Sequence, residues 1–190
     1  MRIVIAGGIG SGKSVVTRIL RELGAKVVVA DEINAELLLD PSYIDLIEHN
    51  FPDVVHNKVI DKRALAEVVY HDERQRRVLM DLAHPRIFER MFSMYPEEKV
   101  VFYEIPLLSE TKAHFDQVWY VYSDPDVRAS RIVSRDGVTK EYANRLILLQ
   151  RGEDLLCEKA DIVIENNADA DSLCEKVKGL YYSILDQLSL

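Results

Sequence analysis

Cysteine is scarce in this chain. Cys157 and Cys174 are the two present, and they stand too far apart to form a CxxC pair. That argues against a structural zinc, whose ligands come in such closely spaced pairs. The thiols read instead as small half-buried side chains, in keeping with a reducing, cytoplasmic compartment. Long apolar runs are missing too. No stretch approaches the roughly 20 residues of a membrane-spanning helix, and Arg2-Ile3-Val4-Ile5-Ala6 is too short for the core of an export signal. A surplus of positive charge is also absent. Lys and Arg number 24 against 32 Asp and Glu, a net charge of −8, which disfavours a general nucleic-acid or anionic-membrane binder. Repeats and low-complexity segments are lacking. So are the motifs of a GTPase switch: no Asp has Gly three positions later, and Asn57-Lys58-Val59-Ile60-Asp61 misses Asn-Lys-x-Asp by one residue. What remains is a chain of 190 residues with ordinary globular composition, one domain with insertions.

The strongest positive signal comes first. Arg2-Ile3-Val4-Ile5-Ala6 reads as a buried strand, and Gly7-Gly8-Ile9-Gly10-Ser11-Gly12-Lys13-Ser14 follows it and opens a helix. That is the strand–loop–helix form of a P-loop. Glycines let backbone N–H groups approach phosphate oxygens. The helix start adds its dipole and unpaired N–H groups, Lys13 a charge for the outer phosphates, and Ser14 a hydroxyl for Mg²⁺.

After it, Val16, Ile19, Leu20 and Leu23 share a helix face that Gly24 terminates. Residues 26–31 read as a second strand, β-branched and buried. Asp31 and Glu32 lie just past its end, where open parallel sheets bind ligands. Asp31 is equally a candidate N-cap for a helix beginning at Ile33. Residues 33–96 show no clear strand. Helical periodicity covers 33–39, 42–51, 62–70 and 72–95, and His84-Pro85 is expected to kink or restart the last of these. Such an all-helical insertion suits substrate binding, although His84 taken alone is more often a packing or capping residue. Residues 98–104 form a third strand ending at Glu104, where a P-loop protein places a Mg²⁺-linked acid. Residues 117–122 are a fourth strand, and Ser123-Asp124-Pro125 starts a helix. From 128 to 151 Arg128, Arg131, Arg135, Lys140, Arg145 and Arg151 face only Asp136 and Glu141. Two helices broken at Asp136-Gly137 would make an arginine lid over transferring phosphates. Residues 160–167 hold a fifth strand and its turn, and 170–188 an amphipathic helix. The fold expected is α/β, a P-loop kinase with a five-stranded parallel sheet flanked by helices. Its core comprises residues 1–33, 97–127 and 152–190, its insertion 34–96 and its lid 128–151.

Taken together the motifs resemble the dephospho-CoA kinase family nearly end to end. The Gly-Gly-Ile-Gly-Ser opening of the loop, Ala30-Asp31, Ile60-Asp61-Lys62-Arg63-Ala64-Leu65 with Val69-Tyr70-His71-Asp72, and His84-Pro85-Arg86-Ile87 carry the first half. Pro106-Leu107-Leu108-Ser109-Glu110, Arg131 to Asp136, Arg145 to Gln150 and Ala160 to Asn166 carry the second. The resemblance implies phosphorylation by ATP of the ribose 3′-hydroxyl of dephospho-CoA. A related kinase acting on another nucleoside or nucleotide, or an ATP-binding protein without turnover, are the alternatives. It implies Asp31 as general base, with Lys13 and Arg145 as further catalytic residues. The nucleotide would be held by Gly8, Ile9, Gly10, Ser11, Gly12, Lys13, Ser14, Val15, Arg131, Arg135 and Asn166. Asp31, His84, Pro106, Leu107 and Glu110 would shape the acceptor side, and Ser14 and Glu104 would serve Mg²⁺. The partners expected are small-molecule substrates, ATP and dephospho-CoA, with neither nucleic acid nor membrane, and the state expected is a monomer or weak homo-oligomer. Five positions depart from the family pattern: Val29 for Asp, Ala35 for Arg, Val15 and Ala6 for Thr, and Ala168 for Gly. The first two bear on acceptor recognition.

Overall fold

The structure, a computed structural model, is described for residues 1–188. The chain divides into two compact units: Met1–Val29 with the stretch from Tyr95 on, and Ala30–Met94. Strand β1 (Arg2–Ala6) is buried from its second residue on, as a continuous apolar run in a parallel sheet must be. It leads through the glycine loop into α1 (Lys13–Glu22), which buries Val16, Ile19 and Leu20 on one face. Each such side chain contributes about 1.5–3 kcal/mol when removed from water. The helix closes as Gly24 suggests. Gly24 has φ 90°, its N–H donates to Arg21 O at 3.0 Å, and that of Ala25 donates to Leu20 O at 3.0 Å, the paired bonds of a Schellman stop. Strand β2 is then only Val27–Val29.

The second unit opens with α2 (Ala30–Leu37), which corrects the sequence expectation: the helix begins before Asp31 rather than at Ile33. Asp31 and Glu32 therefore lie inside its first turn, where carboxylates offset the positive end of the dipole. Helix α3 (Pro41–Asn50) is capped by Asp40, whose carboxylate accepts from the N–H of Ser42 at 2.8 Å and of Tyr43 at 3.1 Å. The expectation of no strand between 33 and 96 is also corrected. β3 (Val55–His56) and β4 (Val59–Ile60) pair antiparallel. Asn57 and Lys58 turn the chain between them with φ of 52° and 61°, the twist of a two-residue hairpin turn. Helix α4 (Lys62–His71) starts on Asp61 and α5 (Glu73–Ser93) on Asp72. Pro85 does not break α5, which runs through it. Leu79, Leu82, Ala83 and Ile87 on that helix pack onto the unit's core of Tyr43, Ile44, Ile47, Phe51, Val54, Val55, Ile60 and Leu65. That packing holds the helix across the missing N–H.

The first unit resumes with β5 (Val101–Glu104) and β6 (Gln117–Tyr122), the latter with the limits its pattern suggests. Then come α6 (Pro125–Asp136), α7 (Lys140–Leu149), α8 (Arg151–Asp154), β7 (Ile162–Glu165) and α9 (Ala170–Gln187). The five strands of this unit's sheet among the described residues are parallel, in the order β2-β5-β1-β6-β7. The order reverses at β1, so the loop after β1 leaves the sheet at a topological switch point, where such folds bind ligands. Ile3, Ile5, Phe102, Trp119, Val121 and Ile164 line one sheet face against α1 and α9. A smaller core joins Ala129 and Ile132 of α6 to Ala143 and Ile147 of α7, and Ile9 of the glycine loop packs on it. Among the described residues no helix is long and apolar enough to cross a membrane.

Candidate active site

The glycine loop is shaped for an anion before any ligand is considered. Helix α1 starts on Gly12, at φ 96° and ψ 24°, with no side-chain cap and no acidic residue in its first turn. The first amides of a helix have no intrahelical partner, so this ten-residue helix presents its positive end bare. Gly12 is required twice over. Its φ is one that L-residues rarely adopt, and an added Cβ would lie 2.2 Å from Asn166 Nδ2. The Lys13 ammonium donates to the carbonyls of Gly7 and Gly8, so it lies over its own loop. Ser14 is exposed at the start of α1, and Val15 is partly buried against the main core.

Behind the loop stands a polar scaffold. The Asn166 amide donates to Ser11 O at 2.8 Å, and Ser123 Oγ lies 3.1 Å from the same carbonyl. Arg131 aims its guanidinium there too. It reaches Ser123 Oγ at 2.9 Å, Asn166 O at 2.9 Å, Ser11 O at 3.3 Å and Gly10 O at 3.4 Å. Arg131 and Asn166, expected at the nucleotide, are thus engaged with the loop's own carbonyls. Arg135, four residues on, forms a two-pronged exposed pair with Asp136. Its carboxylate neighbour raises the guanidinium's pKa. Arg145 is exposed on α7, and its side chain makes no hydrogen bond or ion pair among the described residues.

In the sequence Arg128 is one member of a basic segment, but its place in the structure is particular. It is buried, with Nε donating to Ile9 O at 2.8 Å and Nη1 to Asp154 Oδ1 at 2.7 Å. Its Nη2, like Ser11 Oγ, is buried without a hydrogen-bond partner among the described residues. Ile9 N–H donates to Gln150 Oε1 at 2.8 Å. The peptide groups flanking Ile9 are therefore held through both N–H and C=O, while its side chain sits in the α6–α7 core. Tyr120 donates to Asp154 at 3.2 Å, and its phenol pKa is pushed up by burial and by that carboxylate. The one advance sign of Arg128 was the charge run on α6; nothing in the local sequence of Asp154 or Gln150 announces their partners.

Glu104 stands beside Ile5 in the sheet and is half-buried. Its carboxylate accepts from Thr17 Oγ1 at 2.7 Å. Thr17 also lies 3.3 Å from Ser14 O, so Glu104 is held within about one helical turn of Ser14. Pro106 and Leu107 are half-buried in the loop after β5, and Glu110 is exposed in the short helical turn Leu108–Glu110. Asp31 and His84 belong to the other unit. Asp31 follows β2 by two residues, and His84 is half-buried on α5, edge-to-face with Phe88 at 6.0 Å. Val29 packs partly buried against the main core, which accounts physically for an apolar residue there. Ala35 is exposed. Among the described residues no cluster of three or more His, Cys, Asp or Glu could hold a metal by itself.

Residues 1–172 match the family model for CoaE, dephospho-CoA kinase. The chain is 33% identical over 184 residues to a dephospho-CoA kinase of Fusobacterium nucleatum, covering 94% of this chain and 95% of that one. Among solved structures, a protein of Thermus thermophilus superposes with a TM-score of 0.82 at 27% identity, over 96% of this chain and 97% of its own. The dephospho-CoA kinase of Campylobacter jejuni superposes with a TM-score of 0.66 at 25% identity, over 96% of each chain.

Proposed function

The chain belongs to the dephospho-CoA kinase family, and from that membership we propose a division of labour among its site residues. The activity is ATP-dependent phosphorylation of dephospho-CoA, the last step of coenzyme A synthesis. The acceptor atom is the ribose 3′-hydroxyl. Residues 8–15 cradle the ATP phosphates, and the bare start of α1 is the observation that carries this reading. Lys13 leaves the carbonyls of Gly7 and Gly8 to meet the outer phosphates. Arg131 and Asn166 act chiefly through the loop, fixing the carbonyls so that the amides face the nucleotide. Arg145, exposed and uncommitted, meets the negative charge of the migrating phosphoryl group. Arg135 serves the nucleotide by exchanging Asp136 for a phosphate oxygen.

Mg²⁺ suits the oxygen donors present. It takes one or two protein oxygens together with phosphates and water, and the Ser14 hydroxyl and Glu104 carboxylate offer these. Ser14 and Glu104 would hold the ion, which would supply charge neutralisation for the phosphates. On the acceptor side Asp31 accepts the hydroxyl proton and orients the attacking oxygen. His84, Pro106, Leu107 and Glu110 shape the acceptor's surroundings. Phosphoryl transfer depends mainly on positioning and charge stabilisation, so Asp31 does as much by orientation as by proton removal. The protein works in the cytoplasm as a monomer or weak homo-oligomer.

The experiment is a pair of variants. Asp31→Asn keeps ATP affinity and loses at least about 100-fold in kcat. Lys13→Met impairs both, because Lys13 touches the donor in ground and transition states. Near-normal turnover by Asp31→Asn would remove it as the base.

A further inference from the structure

Three polar side chains at and beside α8 each hold a different part of the first unit. Gln150 accepts from the Ile9 amide of the glycine loop at 2.8 Å. Asp154 holds Arg128 at 2.7 Å. Glu153 serves neither. It is 1% exposed, and its carboxylate reaches the loop after β5. Oε2 accepts from the Leu108 N–H at 3.1 Å, and Oε1 from the Ser109 N–H at 2.9 Å and from the Ser109 hydroxyl. Gly152, next to it, comes so close that an added Cβ would lie 3.3 Å from Ser109 Oγ. No Lys, Arg or His of the described residues pairs with Glu153.

A buried carboxylate without a cation is costly to desolvate. Packing alone would be served as well by an apolar side chain of similar volume. What the carboxylate does here, and an apolar residue cannot, is accept two backbone N–H groups and a hydroxyl at once. That fixes the turn Leu108–Glu110 in one conformation. The same loop carries Pro106, Leu107 and Glu110. We infer that Glu153 is a positioning residue for the acceptor substrate: it sets the 107–110 turn and so governs the KM for dephospho-CoA while touching neither substrate. This rests on the proposed reading that the loop faces the acceptor.

The test is steady-state kinetics on the full chain, with each substrate varied in turn. Glu153→Gln places an amide N–H₂ against donors in place of one oxygen. It should raise the KM for dephospho-CoA about 10-fold while ATP KM stays within about twofold. Ser109→Ala removes only the hydroxyl contact and should raise the same KM about threefold. Gln150→Ala, which loosens Ile9, should show the opposite split and raise the ATP KM. Equal rises in both KM values for Glu153→Gln, or a change in kcat alone, would overturn the inference. If Glu153→Gln does not fold, an unchanged acceptor KM in Ser109→Ala overturns it. Glu110→Ala separates the two levels. A flat acceptor KM in Glu110→Ala sinks the reading of the loop. A responsive Glu110→Ala beside a flat Glu153→Gln sinks the role of Glu153.

Discussion

Gly8 is predicted to be needed for the space it leaves to Arg128. Its backbone angle is no obstacle to substitution, since Gly8 is not among the glycines of positive φ. A methyl group there would stand 2.1 Å from Arg128 Nη2, 2.7 Å from its Cζ and 2.9 Å from Asp154 Oδ1. The guanidinium cannot simply retreat. Its Nε is held by Ile9 O at 2.8 Å and its Nη1 by Asp154 at 2.7 Å, and the side chain is 4% exposed. Gly8→Ala must therefore expel Arg128 from both contacts. Overpacking costs about 1–3 kcal/mol and a lost charged hydrogen bond about 1.5–3. The Asp154 side chain is 35% exposed, so water takes over its charge and little further cost arises. The expected loss is about 3 kcal/mol. Arg128→Ala alone should cost about 2 kcal/mol through lost packing and bonding. With the guanidinium gone, adding Gly8→Ala should cost only about 0.5 kcal/mol, so the cycle carries a coupling of about 2.5 kcal/mol. Denaturant titration of the four proteins, followed by the fluorescence of Trp119, the chain's one tryptophan and a core residue of this unit, reads it out. Additivity within about 0.5 kcal/mol would show that Gly8 and Arg128 do not compete for this space.

Other variants test neighbouring links. Arg131→Ala should destabilise the protein by about 2–3 kcal/mol, since one guanidinium serves Gly10, Ser11, Ser123 and Asn166. It should also shrink the rise in melting temperature that ATP produces, which differential scanning fluorimetry measures. Arg145→Ala should leave the melting temperature unchanged, because the side chain is exposed, while kcat falls about 100-fold. An unaltered kcat removes it from the mechanism. The caps predict acid behaviour. The pKa values of Asp40, Asp61 and Asp169 are lowered from 3.8, respectively by the Ser42 hydroxyl, the Ala64 amide and the Ser172 amide as the largest causes. A depressed folded pKa gives stability that is full above 3.8 and is lost as pH falls through the folded value. Replacing Asp40 and Asp61 by Asn, which caps without titrating, should therefore flatten the fall in melting temperature below about pH 4.

How much of this was legible depends on whether a feature is contiguous. The sheet was legible because β1, β5 and β6 are apolar runs enclosed on both faces, and β6 kept its expected limits. The hairpin at residues 55–60 was not. Strands of two residues show no alternation, and Asn57-Lys58 lacks the glycine that marks such turns. Pro85 misled because tertiary packing along α5 outweighs a local break. The first turn of α2 was misplaced because β2 is shorter than its apolar run. The glycine loop declared itself because phosphate binding requires its residues in one unbroken segment. Its support did not. Arg128, Asp154, Gln150 and Glu153 look like solvated charged and polar residues, and only the placing of α6 and α8 beside the loops gives them partners. The arginines of the basic segment divide in the same way. Arg128 and Arg131 turn inward to hold the loop, Arg135 pairs with its neighbour, and Arg145 stays exposed. Charge composition cannot draw that division.

The acceptor is identified by measuring ADP release by the purified protein with ATP and Mg²⁺, offering dephospho-CoA beside adenosine, AMP and pantetheine phosphate. Release with dephospho-CoA should stand well above the others and give a product phosphorylated on the ribose 3′-oxygen. Release with another acceptor but none with dephospho-CoA would rule out dephospho-CoA as the acceptor of this chain.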